Sequence, residues 1–211
     1  MKKRMLLLFG VALLAIVTSG CGYNTLQTKH QNVKAKWSDV ENQLQRRADL
    51  IPNMISAAQS VAVNEQEVFG QVNKANTQLI NATSAQPQGE GGERTPEQKQ
   101  AIIDAANSFG GTIGRLLSLQ QAYPTLHSNE NFMRLQDELA GTENRLAVAR
   151  HDYNEAVQDY NTTRGNFPMV ISAKIFGFKE EPYFKAAEGA QQAPTFNPNS
   201  LRQNQGNANA R

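Results

Sequence analysis

The chain has 211 residues, a formal net charge of +2, and is 39% hydrophobic but 7% aromatic. Three cations, Lys2, Lys3 and Arg4, sit at the extreme N-terminus, and without them the net charge is −1; the other Lys and Arg are scattered among acids, with no basic stripe for tracking phosphates, which speaks against a nucleic-acid partner. One cysteine, Cys21, excludes an internal disulfide and a cysteine-based metal site, and the scarcity of β-branched and aromatic runs predicts an all-α class with room for one domain.

In chain order, residues 1–20 read as a signal peptide. Lys2-Lys3-Arg4 precede an apolar run from Met5 to Val17, which suits a secretory segment better than a full membrane span. Thr18-Ser19-Gly20-Cys21 resembles a bacterial lipobox, with Thr18 where Leu is commoner, and makes Cys21 the expected lipid attachment residue. The competing reading is an uncleaved signal anchor. In both readings the three cations stay cytoplasmic and the domain faces the periplasm or cell exterior. Gly22, rather than Asp, after the cysteine favours the outer membrane in a Gram-negative cell.

From Leu26 the spacing Leu26, Val33, Trp37, Val40, Leu44, Ile51 predicts a first bundle helix. The pattern resumes after Pro52 with Met54, Ala58, Val61, Phe69, Val72, Ala75 and Leu79, so one long helix kinked at Pro52 is expected. Residues 83–96 form a polar Gly/Pro/Gln loop. Thr95-Pro96-Glu97-Gln98 supplies a capping box. The helix it opens carries Ile102, Ile103, Ala106, Phe109, Ile113 and Leu116 and ends before Tyr123-Pro124. Gly110, Gly111 and Gly114 inside it lack the flanking strand and Lys-Ser/Thr of a phosphate loop, which leaves close packing or a joint.

The longest pattern follows. Phe132, Leu135, Leu139, Thr142, Leu146, Ala149, Tyr153, Ala156 and Tyr160 recur at steps of three and four, a bundle seam running to a stop near Gly165. Pro168 then opens a short apolar helix closed by Gly177. The expected architecture is an antiparallel up-and-down helical bundle over residues 22–185, with a disordered polar tail over 186–211.

Several blocks carry a family likeness: Tyr23-Asn24-Thr25-Leu26, Arg46-Arg47-Ala48-Asp49-Leu50-Ile51-Pro52-Asn53, Tyr123-Pro124, Ala149-Arg150, Tyr153-Asn154, Tyr160-Asn161, Phe167-Pro168, and Phe176-Gly177-Phe178 before Tyr183-Phe184. Together, over roughly residues 23–185, they resemble the LemA family of bacterial membrane-associated proteins. The resemblance implies a helical bundle behind one N-terminal hydrophobic segment, with no established catalytic activity and no cofactor. It also implies an envelope partner, for which a TPM-domain membrane protein is a candidate. The basic leader and lipobox-like cysteine depart from members that look like single-span proteins, and the 83–94 loop looks like an insertion.

Two groups of residues stand out as candidate sites. Arg46, Arg47, Asp49 and Asn53, with Glu143, Arg150 and Asn154 from the long helix, are a candidate partner or polar site. The competing structural reading pairs Arg47 with an acid on the long helix and turns Asn53 to carbonyls freed by Pro52. Ile175, Phe176, Phe178, Tyr183 and Phe184 are a candidate apolar contact patch, read either as a lid on the bundle or as a surface for membrane or partner. The tyrosines of Tyr153-Asn154 and Tyr160-Asn161, one heptad apart, share the seam and set helix register. His30, His127 and His151 are isolated, no metal-ligand spacing appears, and no nucleophile with a base is evident. The expectation is therefore a non-catalytic adaptor or scaffold, and the alternatives are an envelope enzyme or ligand binder, or a lipid-contacting protein.

Overall fold

The computed structural model describes residues 2–185, with side chains from Gly22 onward apart from that of residue 90. The Cys21 side chain and the tail expected to be disordered, 186–211, lie outside the described residues. Those residues form five helices and no strand: α1 (Lys2–Gln59), α2 (Gln66–Ser84), α3 (Pro96–Ala122), α4 (Glu130–Gly165) and α5 (Met169–Ile175). As the seam pattern predicts, this is an all-α bundle in which successive long helices reverse direction.

The seam positions form the core. Leu26, Val33, Trp37, Val40, Leu44 and Ile51 of α1 and Phe132, Leu139, Leu146, Tyr153 and Tyr160 of α4 are buried, with Phe69, Val72 and Leu79 of α2 and Ile102, Ile103, Phe109 and Leu116 of α3. Each such large apolar side chain contributes about 1.5–3 kcal/mol on burial. α1 and α4 run antiparallel, and their rim is tied in steps by Lys29–Asp159 at 2.5 Å and Lys36–Asp152 at 3.0 Å. α2 packs on α1 and α3, whereas α3 and α4 stand further apart.

The first turn of the chain departs from expectation. Pro52 lies inside α1, which continues to Gln59, and the break comes at residues 60–65. There Val63 N–H reaches back to the Ala58 carbonyl and Ala62 N–H to that of Gln59, while Ala62 adopts φ +63°. This is a Schellman closure with alanine where glycine is usual, sealed by buried Val63. Pro52 thus lies within one continuous helix as expected, but that helix does not run on to Leu79: it ends at Gln59, and Phe69, Val72, Ala75 and Leu79 belong to the separate α2.

The other boundaries follow the sequence. Thr95 and Gln98 form a reciprocal capping box at the start of α3, and Asn129 caps α4 by accepting from Phe132 N–H at 3.1 Å. The 83–96 loop is held rather than free: Arg94 donates to Glu41 and to the carbonyls of Thr83 and Ala85. After Gly165 the chain turns, forms α5 against Gly22, and returns as an extended strap, 178–185, into the gap between α3 and α4.

Candidate functional site

Helical spacing splits the Arg-Arg block between two faces. Arg46, Asp49 and Asn53 form an exposed stripe along α1, with Asp49 accepting from Gln45 at 2.8 Å. Asn53 therefore does not serve carbonyls near Pro52, contrary to the structural expectation. Arg47 points inward at 6% side-chain exposure, and its guanidinium lies 3.0 Å from Glu143 of α4, 5.5 Å from the centre of the Phe109 ring and beside Gly110 of α3. A methyl group at Gly110 would sit 3.7 Å from that guanidinium, an ordinary contact, so the arginine's place does not depend on glycine there.

Arg150, one heptad along α4 from Glu143, approaches the same carboxylate at 3.7 Å and lies 4.4 Å over the Phe184 ring. Two guanidiniums thus share one acid. Burial lowers the pKa of both arginines while Glu143 opposes the shift, and Arg47 adds to the lowering at Arg150; neither loses its charge near neutrality. The Nε atoms of Arg47 and Arg150 are buried without a hydrogen-bond partner, and Oε2 of Glu143 meets Arg47 Nη2 as an ion pair at 3.0 Å rather than as an aligned hydrogen bond. The cluster is rich in donors, carries excess positive charge and opens to solvent beside Glu143, which suits a further oxyanion. Asn154 does not join it, so the expected polar pocket reduces to Arg47, Glu143 and Arg150.

Asn154 has another task. Its amide accepts from Phe184 N–H at 2.8 Å and donates to Phe184 O at 2.9 Å. Asn161 grips Glu181 in the same way, at 3.1 and 2.9 Å. Tyr153 and Tyr160 donate their hydroxyls to the carbonyls of Pro182 and Lys179 at 2.7 and 2.8 Å. Both hydroxyls are held protonated, chiefly by burial and then by the Glu181 charge. The match is metric. Seven helical residues rise about 10.5 Å and three extended residues about 10 Å, so a Tyr-Asn pair repeated each heptad meets the strap every third residue.

The strap carries Glu181 into the interior, 4% exposed, where it meets Lys99 of α3 at 2.7 Å and His30 of α1 at 3.1 Å. Burial works against the Glu181 carboxylate, but the His30 hydrogen bond and the Lys99 charge together hold its pKa below the ordinary 4.5. His30, expected to be isolated, is therefore part of a network with Glu181 and Lys99, and also lies 3.7 Å from Glu93, which pairs with Lys34. Neither Lys99 nor Glu181 was singled out by sequence, although Lys99 interrupts the apolar stripe it shares with Ile102, Ile103 and Ala106, and a charge on a buried stripe is the available signal.

The candidate apolar patch divides in two. Phe184 is buried beneath Arg150 and Tyr183 is half-buried, so these two belong to the strap's packing. Ile175 and Phe176 are exposed, and Phe178 is partly covered by Tyr23, 5.7 Å away between ring centres. Shallow grooves of about 360 and 620 Å³ follow the α1–α4 rim, lined by Asn32, Lys36, Asp152 and Asp159 and by Asn24, Thr28 and Lys29; neither takes in the arginine pair. Among the described residues no group of three or more His, Cys, Asp or Glu could hold a metal ion, and no helix is long and apolar enough to cross a membrane.

Comparison with known proteins adds to this geometry. The family model for the LemA family matches residues 36–197. Magnetosome proteins MamQ 1 and MamQ 2 of Paramagnetospirillum magneticum (strain ATCC 700264 / AMB-1) are each 30% identical over 175 residues, covering 77% of this chain and 64% of theirs. Magnetosome protein MamQ of Magnetospirillum gryphiswaldense (strain DSM 6361 / JCM 21280 / NBRC 15271 / MSR-1) is 27% identical over 193 residues, covering 85% of this chain and 71% of its own length. The chain spans less than two thirds of the length of the Paramagnetospirillum relatives.

Proposed function

This chain belongs to the LemA family, and we propose that it is a membrane-anchored, non-catalytic adaptor of the cell envelope that receives an acidic group of a partner protein at the Arg47–Arg150 pair. The observation that carries this reading is the sharing of Glu143 by two guanidiniums whose Nε atoms have no acceptor. A partner carboxylate at the open edge beside Arg150 would balance the second positive charge, at a site where partial burial strengthens the interaction. The apolar run Met5 to Val17, with Cys21 after it, supplies the anchor, and the leader cations orient the bundle away from the cytoplasm. A TPM-domain membrane protein is the partner class that the family resemblance suggests.

Ala147 is exposed on the same α4 face as Glu143, Arg150 and Asn154, and Asn53 is exposed on the separate stripe of α1. A photoreactive residue at Ala147 in living cells is expected to capture a discrete envelope protein that one at Asn53 does not, and Arg150→Gln is expected to remove that capture while the bundle stays folded. Mass spectrometry of the N-terminal peptide from the same membranes reads the anchor. Identical capture profiles at the two positions, or capture that survives Arg150→Gln, would count against the arginine pair as the partner's site.

A further inference from the structure

Most of the large apolar side chains left exposed in the described region gather at one end. Tyr23, Phe167, Ile171, Ile175 and Phe176 are all there, with Phe167 81% and Ile175 67% exposed, while Val148 lies alone on the bundle's flank. Isolated exposed residues such as Val148 are ordinary; a contiguous group is not. α5 makes the group by dividing its residues between two faces. Ser172 and Ala173 are buried, and Ile171 and Ile175, four apart, turn outward together. Phe176, just past the end of α5, is exposed beside them and meets Tyr23 edge to face, 4.9 Å between ring centres.

The position of α5 is fixed by close contact with α1. A methyl group on Gly22 would come within 2.8 Å of Ser172 Oγ and 3.1 Å of Met169 Sδ, so any side chain there would have to turn those two aside, and glycine lets α5 lie against α1 without that adjustment. The pairing of Lys29 with Asp159 brings the end of α4, at Gly165, level with the residues just after Gly22. The bundle therefore ends where α5 packs, and the backbone of α1 continues helically back to Lys2. Whether residues 1–20 are cut away and Cys21 acylated, or the leader stays as a signal anchor, residue 22 stands at the membrane surface. Lys174 and Lys179 are exposed beside the apolar group, as suits an interface of anionic headgroups.

We propose that the Tyr23, Phe167, Ile171, Ile175, Phe176 group is a membrane-seating surface: it rests in the headgroup and upper acyl region of the bilayer that holds the anchor, and so fixes the bundle upright on the membrane. This rests on the anchoring part of the proposed function, and it commits to lipid as the occupant because the surface is continuous with the point where the chain enters the membrane. Two contacts, the anchor and α5, set an orientation that one flexible tether would not.

The test uses the full chain, purified from membranes and reconstituted into phosphatidylcholine vesicles with a minority of phosphatidylglycerol, with and without brominated acyl chains. Ile175→Trp and Val148→Trp each place a tryptophan at an exposed position; native Trp37 is buried and supplies a constant background. The expected result is a blue shift and a loss of roughly half or more of the added emission at position 175 in brominated vesicles, with little loss at position 148, since seated side chains reach quencher depth. If the protein floats with the vesicles and position 175 is no more quenched than position 148, the seating surface is wrong and the anchor stands. If the chain does not float with the vesicles at all, anchoring fails and the seating surface falls with it. As a second measurement, paired Ile171→Asp and Ile175→Asp changes, both at exposed positions, should leave flotation intact while abolishing labelling of α5 by photoactivatable lipid; unchanged labelling would overturn the assignment.

Discussion

At the scale of single residues, Glu181 concentrates the interior's electrostatics. It sits between Lys99 and His30, nearly without access to water, and its pKa is lowered relative to the unfolded chain. A carboxylate with a depressed folded value contributes stability that is complete above the ordinary 4.5 and is lost as pH falls through the folded value. Amide exchange of residues 179–185 should therefore be flat with pH, after correction for the intrinsic rate, down to about 4.3 and should accelerate below it. Glu181→Gln should remove that acid transition and cost about 3 kcal/mol in denaturant unfolding, because it leaves the buried Lys99 ammonium facing a neutral amide. This network was not legible in the sequence: its members stand at positions 30, 99 and 181, and only the fold gathers them. The Arg47–Glu143 pair was legible, because a basic residue on the inner face of one helix asks for an acid on the helix beside it.

At the scale of elements, the boundary written by a capping box was readable and the one written by backbone geometry alone was not. Thr95 and Gln98 announce α3, whereas the Asn129 cap of α4 emerges only from the structure. The end of α1 has no such mark: the apolar pattern runs on past Pro52 to Leu79, while the reversal depends on Ala62 entering the left-handed region. Left-handed backbone costs an L-residue about 1–2 kcal/mol, offset here by the two backbone hydrogen bonds of the closure and the burial of Val63. Ala62→Gly is accordingly expected to raise the urea midpoint, by about 0.5–1 kcal/mol in stability after the greater chain entropy of glycine is counted. No change, or a fall, would mean that the closure is not strained. The Tyr-Asn repeats show the converse. Both tyrosines were correctly assigned to the seam, but the partner of their hydroxyls and of the asparagines is main chain, which leaves no mark in side-chain patterns.

For the whole molecule, the bundle order followed from periodicity and short connections, and the LemA resemblance is borne out by the match over residues 36–197. What periodicity did not convey is that α3 and α4 are joined through a third party. The strap lies between them, holding α4 through Asn154 and Asn161 and α3 through Lys99 and Asn107, the latter donating to the Lys185 carbonyl at 2.9 Å. The molecule therefore has two differently made ends: one where α5 turns apolar residues outward, and one closed by the Ala62 reversal and the turn before α4.

The seven-to-three match between α4 and the strap has a consequence for chain length. The strap and helix are commensurate at that ratio and at few others, so the strap tolerates no insertion or deletion of one or two residues. Removing Glu180, whose own side chain is 70% exposed, would move every later rung by about 3.3 Å and turn each side chain out of its present facing. Glu181 would turn to solvent and Asn154 would meet Lys185 in place of Phe184. Deleting that one exposed residue is expected to destabilise the fold at least as much as Glu181→Gln, whereas Glu180→Ala should leave stability within about 0.5 kcal/mol, a contrast that denaturant unfolding of the two variants would read directly. Length change along this part of the chain is quantised: three residues of strap correspond to one heptad of helix, and intermediate lengths have no register to fall into.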